Sequence, residues 1–286
     1  MLRAAFQQHQ KRAAWNIFSK RFYAQRRLEK KNVFITGASS GIGESTAREF
    51  AKEGSNLVHI ILTARRLDRL DALKEELKQT YKNIDIHTLK LDVRKKKNVD
   101  DAIASLPSSV KDNISVLVNN AGLVLGMDPL LDVTEEEYDT MMDTNVKGLM
   151  FVTQAILPRM IEQNEGHIIN IGSVAGKQSY QNGSIYCASK HAVDAITRAL
   201  LYETMSTPVR VSQICPGMVN TEFSTVRFHG DKEKADSVYA GMEPLVGQDI
   251  AELITFIASR PPHVNIVDTL VFPTAQADAR TAHRKQ

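Results

Sequence analysis

Two cysteines, one tryptophan and no apolar run near the length that spans a bilayer mark what this 286-residue chain does without. Crossing a membrane as a helix takes roughly 18–20 such residues, so no stable membrane insertion is expected. Cys187 and Cys215 have no partner cysteine or histidine at metal-ligand spacing, and the eight histidines are scattered. That pattern offers neither a disulfide framework nor a zinc site. It suits a reducing compartment, and no metal is expected. Internal repeats and low-complexity tracts are also missing.

Acidic residues are absent from Met1 to Leu28, a stretch that holds seven basic ones. Over residues 1–31 the count is nine basic to one acidic, whereas the remainder carries 27 basic and 32 acidic residues. A basic head on a mildly acidic body does not read as a nucleic-acid-binding domain. Trp15, Phe18 and Phe22 form a short apolar stripe flanked by Arg12, Lys20 and Arg21. An arginine-rich, acid-free, partly amphipathic head reads as an organelle-targeting presequence. Arg21-Phe22-Tyr23-Ala24 resembles a mitochondrial processing site, with cleavage expected after Tyr23. The expected location is mitochondrial; a solvated extension on a cytoplasmic enzyme is the other reading.

From residue 32 to 286 apolar runs alternate with helical stretches, the pattern of a parallel α/β sheet in one domain. Strands are expected at Val33–Thr36, Leu57–Thr63, Ile84–Leu91, Ile114–Val118, His167–Ile171, Val209–Ile214 and Thr269–Phe272. Helices are expected at Arg66–Lys78, Glu135–Ile161 and Ser184–Met205. The fold class is therefore a Rossmann fold: a doubly wound, seven-stranded parallel sheet with helices on both faces.

The first strand runs into Thr36-Gly37-Ala38-Ser39-Ser40-Gly41-Ile42-Gly43. Glycines at a strand-to-helix turn let backbone amides approach a pyrophosphate, and the helix N-terminus favours its charge. The spacing is Gly-x-x-x-Gly-x-Gly, a variant of the Gly-x-Gly-x-x-Gly fingerprint. At the end of the second strand an NAD site usually carries an acid, whereas a basic residue accommodates the 2′-phosphate of NADP. Here the chain reads Ala64-Arg65-Arg66, and its first acid is Asp68. NADP is the expected cofactor; two solvated arginines opening a helix is the alternative. Asp92-Val93 ends the third strand, where a carboxylate could accept from an adenine amino group. Asn119-Asn120-Ala121-Gly122 ends the fourth.

Tyr186 and Lys190 lie four apart, on one face of a helix. A free phenol titrates near 10, and holding it ionised at neutral pH costs roughly 4 kcal/mol. A neighbouring cation offsets part of that cost, giving an acid/base suited to carbonyl and alcohol chemistry.

The glycine turn, Asn-Asn-Ala-Gly, Ser173 after the fifth strand, Tyr-x-x-x-Lys and Pro216-Gly217 follow the order found in the short-chain dehydrogenase/reductases, which this chain resembles. More narrowly it is similar to the NADP-dependent 3-hydroxy acid dehydrogenases of yeasts and bacteria, also described as serine or L-allo-threonine dehydrogenases. Residues 62–70, 166–176, 221–231 and 268–273 carry that closer likeness. The resemblance implies a tetrad of Asn145, Ser173, Tyr186 and Lys190. Tyr186 would exchange the proton, Lys190 would lower its pKa, Ser173 would bind the substrate oxygen and Asn145 would hold a water. It also implies cofactor contacts at Gly37, Ala38, Ser39, Ser40, Gly41, Ile42, Arg65, Arg66, Asp92, Val93, Asn120, Tyr186, Lys190, Pro216, Gly217, Val219 and Thr221. A homotetramer is implied in the same way.

Residues 216–247 read as a lid over a small-molecule substrate. A 3-hydroxy acid needs a cation for its carboxylate, and Arg227 is the candidate, against a salt bridge from Arg227 to Asp231 or Glu222. The expected reaction is NADP-dependent hydride transfer on serine, L-allo-threonine, 3-hydroxypropanoate or the 3-oxo product. A 3-oxoacyl-thioester reductase and a non-catalytic NADP(H)-sensing protein are the alternatives.

Overall fold

The computed structural model describes residues 27–54 and 58–285. The basic head, its Trp15 stripe and the Tyr23 processing position lie outside the described residues. In chain order the strands are β1 (Asn32–Thr36), β2 (His59–Ala64), β3 (Asp85–Lys90), β4 (Ile114–Asn119), β5 (Gly166–Ile171), β6 (Val209–Pro216), β7 (Val219–Asn220), β8 (Leu245–Val246) and β9 (Asp268–Val271). Seven of them make one sheet in the order β3-β2-β1-β4-β5-β6-β9, with every neighbouring pair parallel. The helices are α1 (Gly41–Glu53), α2 (Leu67–Thr80), α3 (Lys96–Ala104), α4 (Ser108–Lys111), α5 (Glu135–Met142), α6 (Leu149–Glu162), α7 (Ser184–Thr204), α8 (Glu222–Arg227), α9 (Lys232–Ser237) and α10 (Gly247–Ala258).

The central strands are continuous apolar runs because both sheet faces are covered. Alternate residues of one strand enter different cores. Val33 and Ile35 of β1 pack with Ile60, Leu62, Phe50 of α1 and Ile254 of α10. Phe34, between them, packs with Ile61, Leu117 and the α6 residues Val152, Ile156 and Met160. Fully burying one such side chain contributes roughly 1.5–3 kcal/mol. Slipping β1 by one residue would exchange its two faces, so the register Val33↔Ile60 and Val33↔Val116 is firmly set. The strand order reverses between β1 and β4, which opens a crevice at their carboxyl ends, where such sheets take ligands.

Three features add to or depart from the sequence reading. The helix expected over Glu135–Ile161 is divided by a π-helical turn, Asp143–Gly148. Close packing bears on that turn: a Cβ on Gly148 would come within 2.6 Å of Val93. Residues 216–247 hold α8 and α9, with the two-residue strands β7 and β8 paired at their base. The last strand of the sheet lies at Asp268–Val271, one residue earlier than expected.

Candidate active site

The carboxyl ends of β1 to β6 open on a cleft of about 310 Å³ lined by the glycine turn, the β2 arginines, Asn120, Ser173, Tyr186, Lys190, Pro216 and the start of α8. Gly37 and Gly41 sit at φ 66° and 57°, left-handed backbone that glycine adopts without strain. A side chain on Gly43 would collide with the Gly37 carbonyl and the Asn120 amide. Asn120 holds this turn in place, its Nδ2 donating to the carbonyls of Thr36 at 2.9 Å and Gly37 at 3.2 Å. Its backbone amide and that of Ala121 both donate to Thr36 Oγ1 at 2.9 Å. A tight glycine turn feeding the N-terminus of a 13-residue helix fits the pyrophosphate of a dinucleotide.

Farther along the cleft the two arginines part company. Arg65 is exposed and makes no hydrogen bond among the described residues. Arg66 lies across the turn, donating to Ser39 Oγ at 3.1 Å and Ser40 Oγ at 3.0 Å, and grips Glu222 of α8 at 2.7 and 2.9 Å. Arg69 adds a third bond to Glu222 at 3.1 Å. The guanidinium of Arg66 holds the Glu222 carboxyl down at about 2. Asp92 is also occupied: Arg94 donates to it from Nε at 3.0 Å and from Nη2 at 2.7 Å.

At the other end, Tyr186, Ser173 and Lys190 converge and are buried. The hydroxyl of Ser173 faces the Tyr186 phenol, and its Oγ accepts from Ala175 N at 3.1 Å. Lys190 Nζ donates to the Ile171 carbonyl at 2.9 Å and lies 6.0 Å from the Tyr186 ring centroid. Phe223 of α8 packs edge-on against Tyr186, the ring centroids 5.8 Å apart. Burial pushes the phenol up from its ordinary value, and the Tyr180 phenol alongside adds to that. Lys190, expected to lower it, is itself lowered to about 8 by burial. Burial thus favours the protonated phenol, the form that donates a proton in the reducing direction.

Asn145 lies within the π turn, and its side chain is fully engaged. Its Oδ1 accepts from Leu123 N at 2.8 Å, while Nδ2 donates to Leu123 O at 2.9 Å and Ser189 Oγ at 3.0 Å. The amide thus ties the loop after β4 to the helix that carries Tyr186. A side chain on Gly122 would meet both Asn145 Oδ1 at 3.2 Å and Lys190 Nζ at 3.6 Å.

Arg227, the candidate carboxylate ligand, pairs with neither Asp231 nor Glu222. Its Nε donates to the Gly126 carbonyl at 3.1 Å and its Nη2 to the Tyr180 hydroxyl at 3.2 Å. It lies close enough to bias the titration of both Tyr180 and Tyr186. Arg280, from the C-terminal segment, sits 5.6 Å from the Tyr180 ring centroid. Tyr180 and Arg280 escaped the sequence reading, since neither belongs to a short motif, while Thr36 and Ser189 lie inside the glycine and Tyr-x-x-x-Lys motifs without a role assigned there. Pro216, Gly217, Val219 and Thr221 line the cleft as expected.

Comparison with known proteins agrees with this geometry. The family model described as short chain dehydrogenase matches residues 31–232. An NADP-dependent 3-hydroxy acid dehydrogenase of Schizosaccharomyces pombe is 48% identical over 260 residues, 91% of this chain and 99% of that protein. Sulfoacetaldehyde reductase 2 of Chromohalobacter salexigens is 46% identical over 86% of this chain and 95% of its own length. The closed form of a serine dehydrogenase complexed with NADP+ superposes with a TM-score of 0.81 at 42% identity, covering 89% of this chain and 99% of that one. The match covers most of the chain and nearly the full length of these relatives, and the chain belongs to the short-chain dehydrogenase family.

Proposed function

We propose that this protein is an NADP-dependent dehydrogenase acting on a short 3-hydroxy acid, such as serine, L-allo-threonine or 3-hydroxypropanoate, or on its 3-oxo product. The observation that carries this reading is the meeting of Ser173 and Tyr186 at the end of the dinucleotide cleft, with Arg227 beside them. The cofactor, when bound, supplies the hydride acceptor for oxidation and the donor for reduction. Tyr186 exchanges the hydroxyl proton of the substrate. Ser173 donates a hydrogen bond to the same oxygen and stabilises charge developing there. Lys190 places a cation next to the phenol as the proton leaves. Asn145 positions the α7 helix against the loop after β4.

The substrate class rests on charge. The relatives named above act, by their names, on small molecules that pair a carbonyl or hydroxyl carbon with an anionic end, carboxylate or sulfonate. Arg227, about 6 Å from the Tyr180 ring centroid, supplies a guanidinium suited to bidentate anion binding.

The test follows nicotinamide absorbance with NADP+ or NAD+ and a panel of hydroxy acids. Turnover of serine or L-allo-threonine with NADP+, abolished in Tyr186→Phe, is expected. Failure on every hydroxy acid together with reduction of an acetoacetyl thioester would move the assignment to a 3-oxoacyl-thioester reductase.

Two further readings belong to this proposal. Exposed apolar side chains on α6 (Met150, Ile161), α7 (Tyr202) and the edge strand β9 (Leu270) support a homotetramer, which light scattering would test. The acid-free basic head supports mitochondrial import; diffuse fluorescence from a full-length reporter fusion would count against it.

A further inference from the structure

Glu222 stands on the first turn of α8, yet its partners lie on the dinucleotide side of the cleft. It takes two hydrogen bonds from Arg66, at 2.7 and 2.9 Å, and one from Arg69 at 3.1 Å. Ser40, at the mouth of the glycine turn, also faces it. A carboxylate in the fork of an arginine holds the place where that arginine would hold a phosphate, because both anions offer two oxygens to the same planar donors. Bound by cations, Glu222 stays ionised throughout the working pH range. The pair is partly exposed, with side chains 39% and 33% accessible, so an incoming anion can reach it.

We infer that Glu222 is a cofactor-specificity residue that works against the 2′-phosphate: it occupies the Arg66 fork, NADP must displace it, and NAD leaves it in place. This rests on the NADP reading above. A dinucleotide ending in a 2′-hydroxyl has no charge with which to compete for Arg66. The acid usual at the end of β2 in NAD sites accepts from that hydroxyl, and Glu222 presents one from across the cleft. The chain therefore holds a phosphate-binding arginine and a restraint on it, 156 residues apart. Phe223, the next residue, packs on Tyr186, so displacement of Glu222 acts on the wall of the reaction site as well.

The experiment measures calorimetric affinities of wild-type protein and Glu222→Gln for NADP+, NAD+, adenosine 2′,5′-bisphosphate and 5′-AMP. Retained thermal unfolding shows that the variant is folded. Glutamine keeps the size of the side chain and removes the competing charge. Both 2′-phosphorylated ligands should bind the variant about two- to fivefold tighter, the range open to a partly exposed ion pair. NAD+ and 5′-AMP should be unchanged or weaker. Weaker NADP+ binding in the variant would make Glu222 a prop that orients Arg66 and overturn the inference. An equal change for all four ligands would overturn it too, pointing to a general movement of α8. The NADP reading is judged separately, on the wild-type ratio of NADP+ to NAD+. A wild type preferring NAD+ whose variant gains only for 2′-phosphates would sink that reading and leave the role of Glu222 standing.

Discussion

Arg227 and Gly126 are bonded in both directions: Arg227 Nε donates to the Gly126 carbonyl at 3.1 Å, and the Gly126 amide donates to the Arg227 carbonyl at 2.9 Å. Half of this clasp belongs to the side chain and half to the backbone. Arg227→Ala therefore leaves α8 tethered to the loop after β4 while removing the guanidinium beside Tyr180. The expected outcome is a Michaelis constant for acidic substrates raised about 10- to 100-fold, the loss of one charge-assisted bond, with a neutral ketone turned over as before. Equal loss on both substrates would assign Arg227 to holding the segment in place.

Behind the site, Asn119 Nδ2 donates to Asn170 Oδ1 at 2.9 Å and Asn170 Nδ2 donates to Thr197 Oγ1 at 2.9 Å, all three buried. This ladder joins β4, β5 and α7, and so fixes the helix of Tyr186 to the strand that leads to Ser173. Asn170→Ala leaves a donor on Asn119 and the Thr197 hydroxyl each short of a partner. Leaving buried polar groups unpaired costs about 1–3 kcal/mol each. Urea unfolding at fixed protein concentration should show a loss of about 2–4 kcal/mol; a change under 0.5 kcal/mol, the usual size for a surface substitution, would show that water replaces the lost bonds.

What the sequence revealed and what it hid divide along one physical line. Period and local spacing carried the seven strands, the glycine turn and the Tyr186–Lys190 pair, because each is settled within a few residues. The Arg66–Glu222 bond, the locked amide of Asn145 and the Arg227–Gly126 clasp join residues far apart in the chain, and no local pattern announces them. Spacing put a cation on the same helix face as Tyr186, but the burial that raises the phenol and lowers Lys190 is written in no local pattern. The π turn within Glu135–Ile161 was hidden as well, since Asp143, Thr144, Asn145 and Val146 are weak helix formers that ordinary helices also contain, and no local pattern marks the wider turn.

Arg65 is an exposed cation on the cofactor edge that makes no hydrogen bond among the described residues, whereas Arg66 already holds Glu222. A 2′-phosphate thus meets Arg65 before it displaces Glu222 from Arg66. Arg65→Ala should weaken NADP+ by about tenfold, as expected for a charge-assisted phosphate contact, and leave NAD+ within twofold or so. An unaltered NADP+/NAD+ ratio would remove Arg65 from the phosphate site. Arg65→Lys should keep charge but lose the bidentate fork, and so fall between the two.

Lys190 brings a cation into the protein interior, where burial lowers it from 10.5 to about 8. Below about 8 the lysine is charged in both folded and unfolded chains, and the folded state bears the full cost of burying it. As pH rises from 8 to 10.5 the folded chain binds fewer protons than the unfolded one, so stability from this group rises with pH. A shift of this size corresponds to about 3 kcal/mol. Lys190→Met, similar in length and uncharged, should therefore be inactive yet more stable than wild type at pH 7, by about 1–3 kcal/mol after loss of the Ile171 bond. The advantage should shrink to nothing by about pH 10.5. Reduction by the wild type should fall away above a break near 8, because the cation that stabilises the phenolate left on Tyr186 is lost there. Lys190→Arg stays charged and should lack the break. A less stable methionine variant at pH 7 would mean that the Ile171 hydrogen bond outweighs the buried charge.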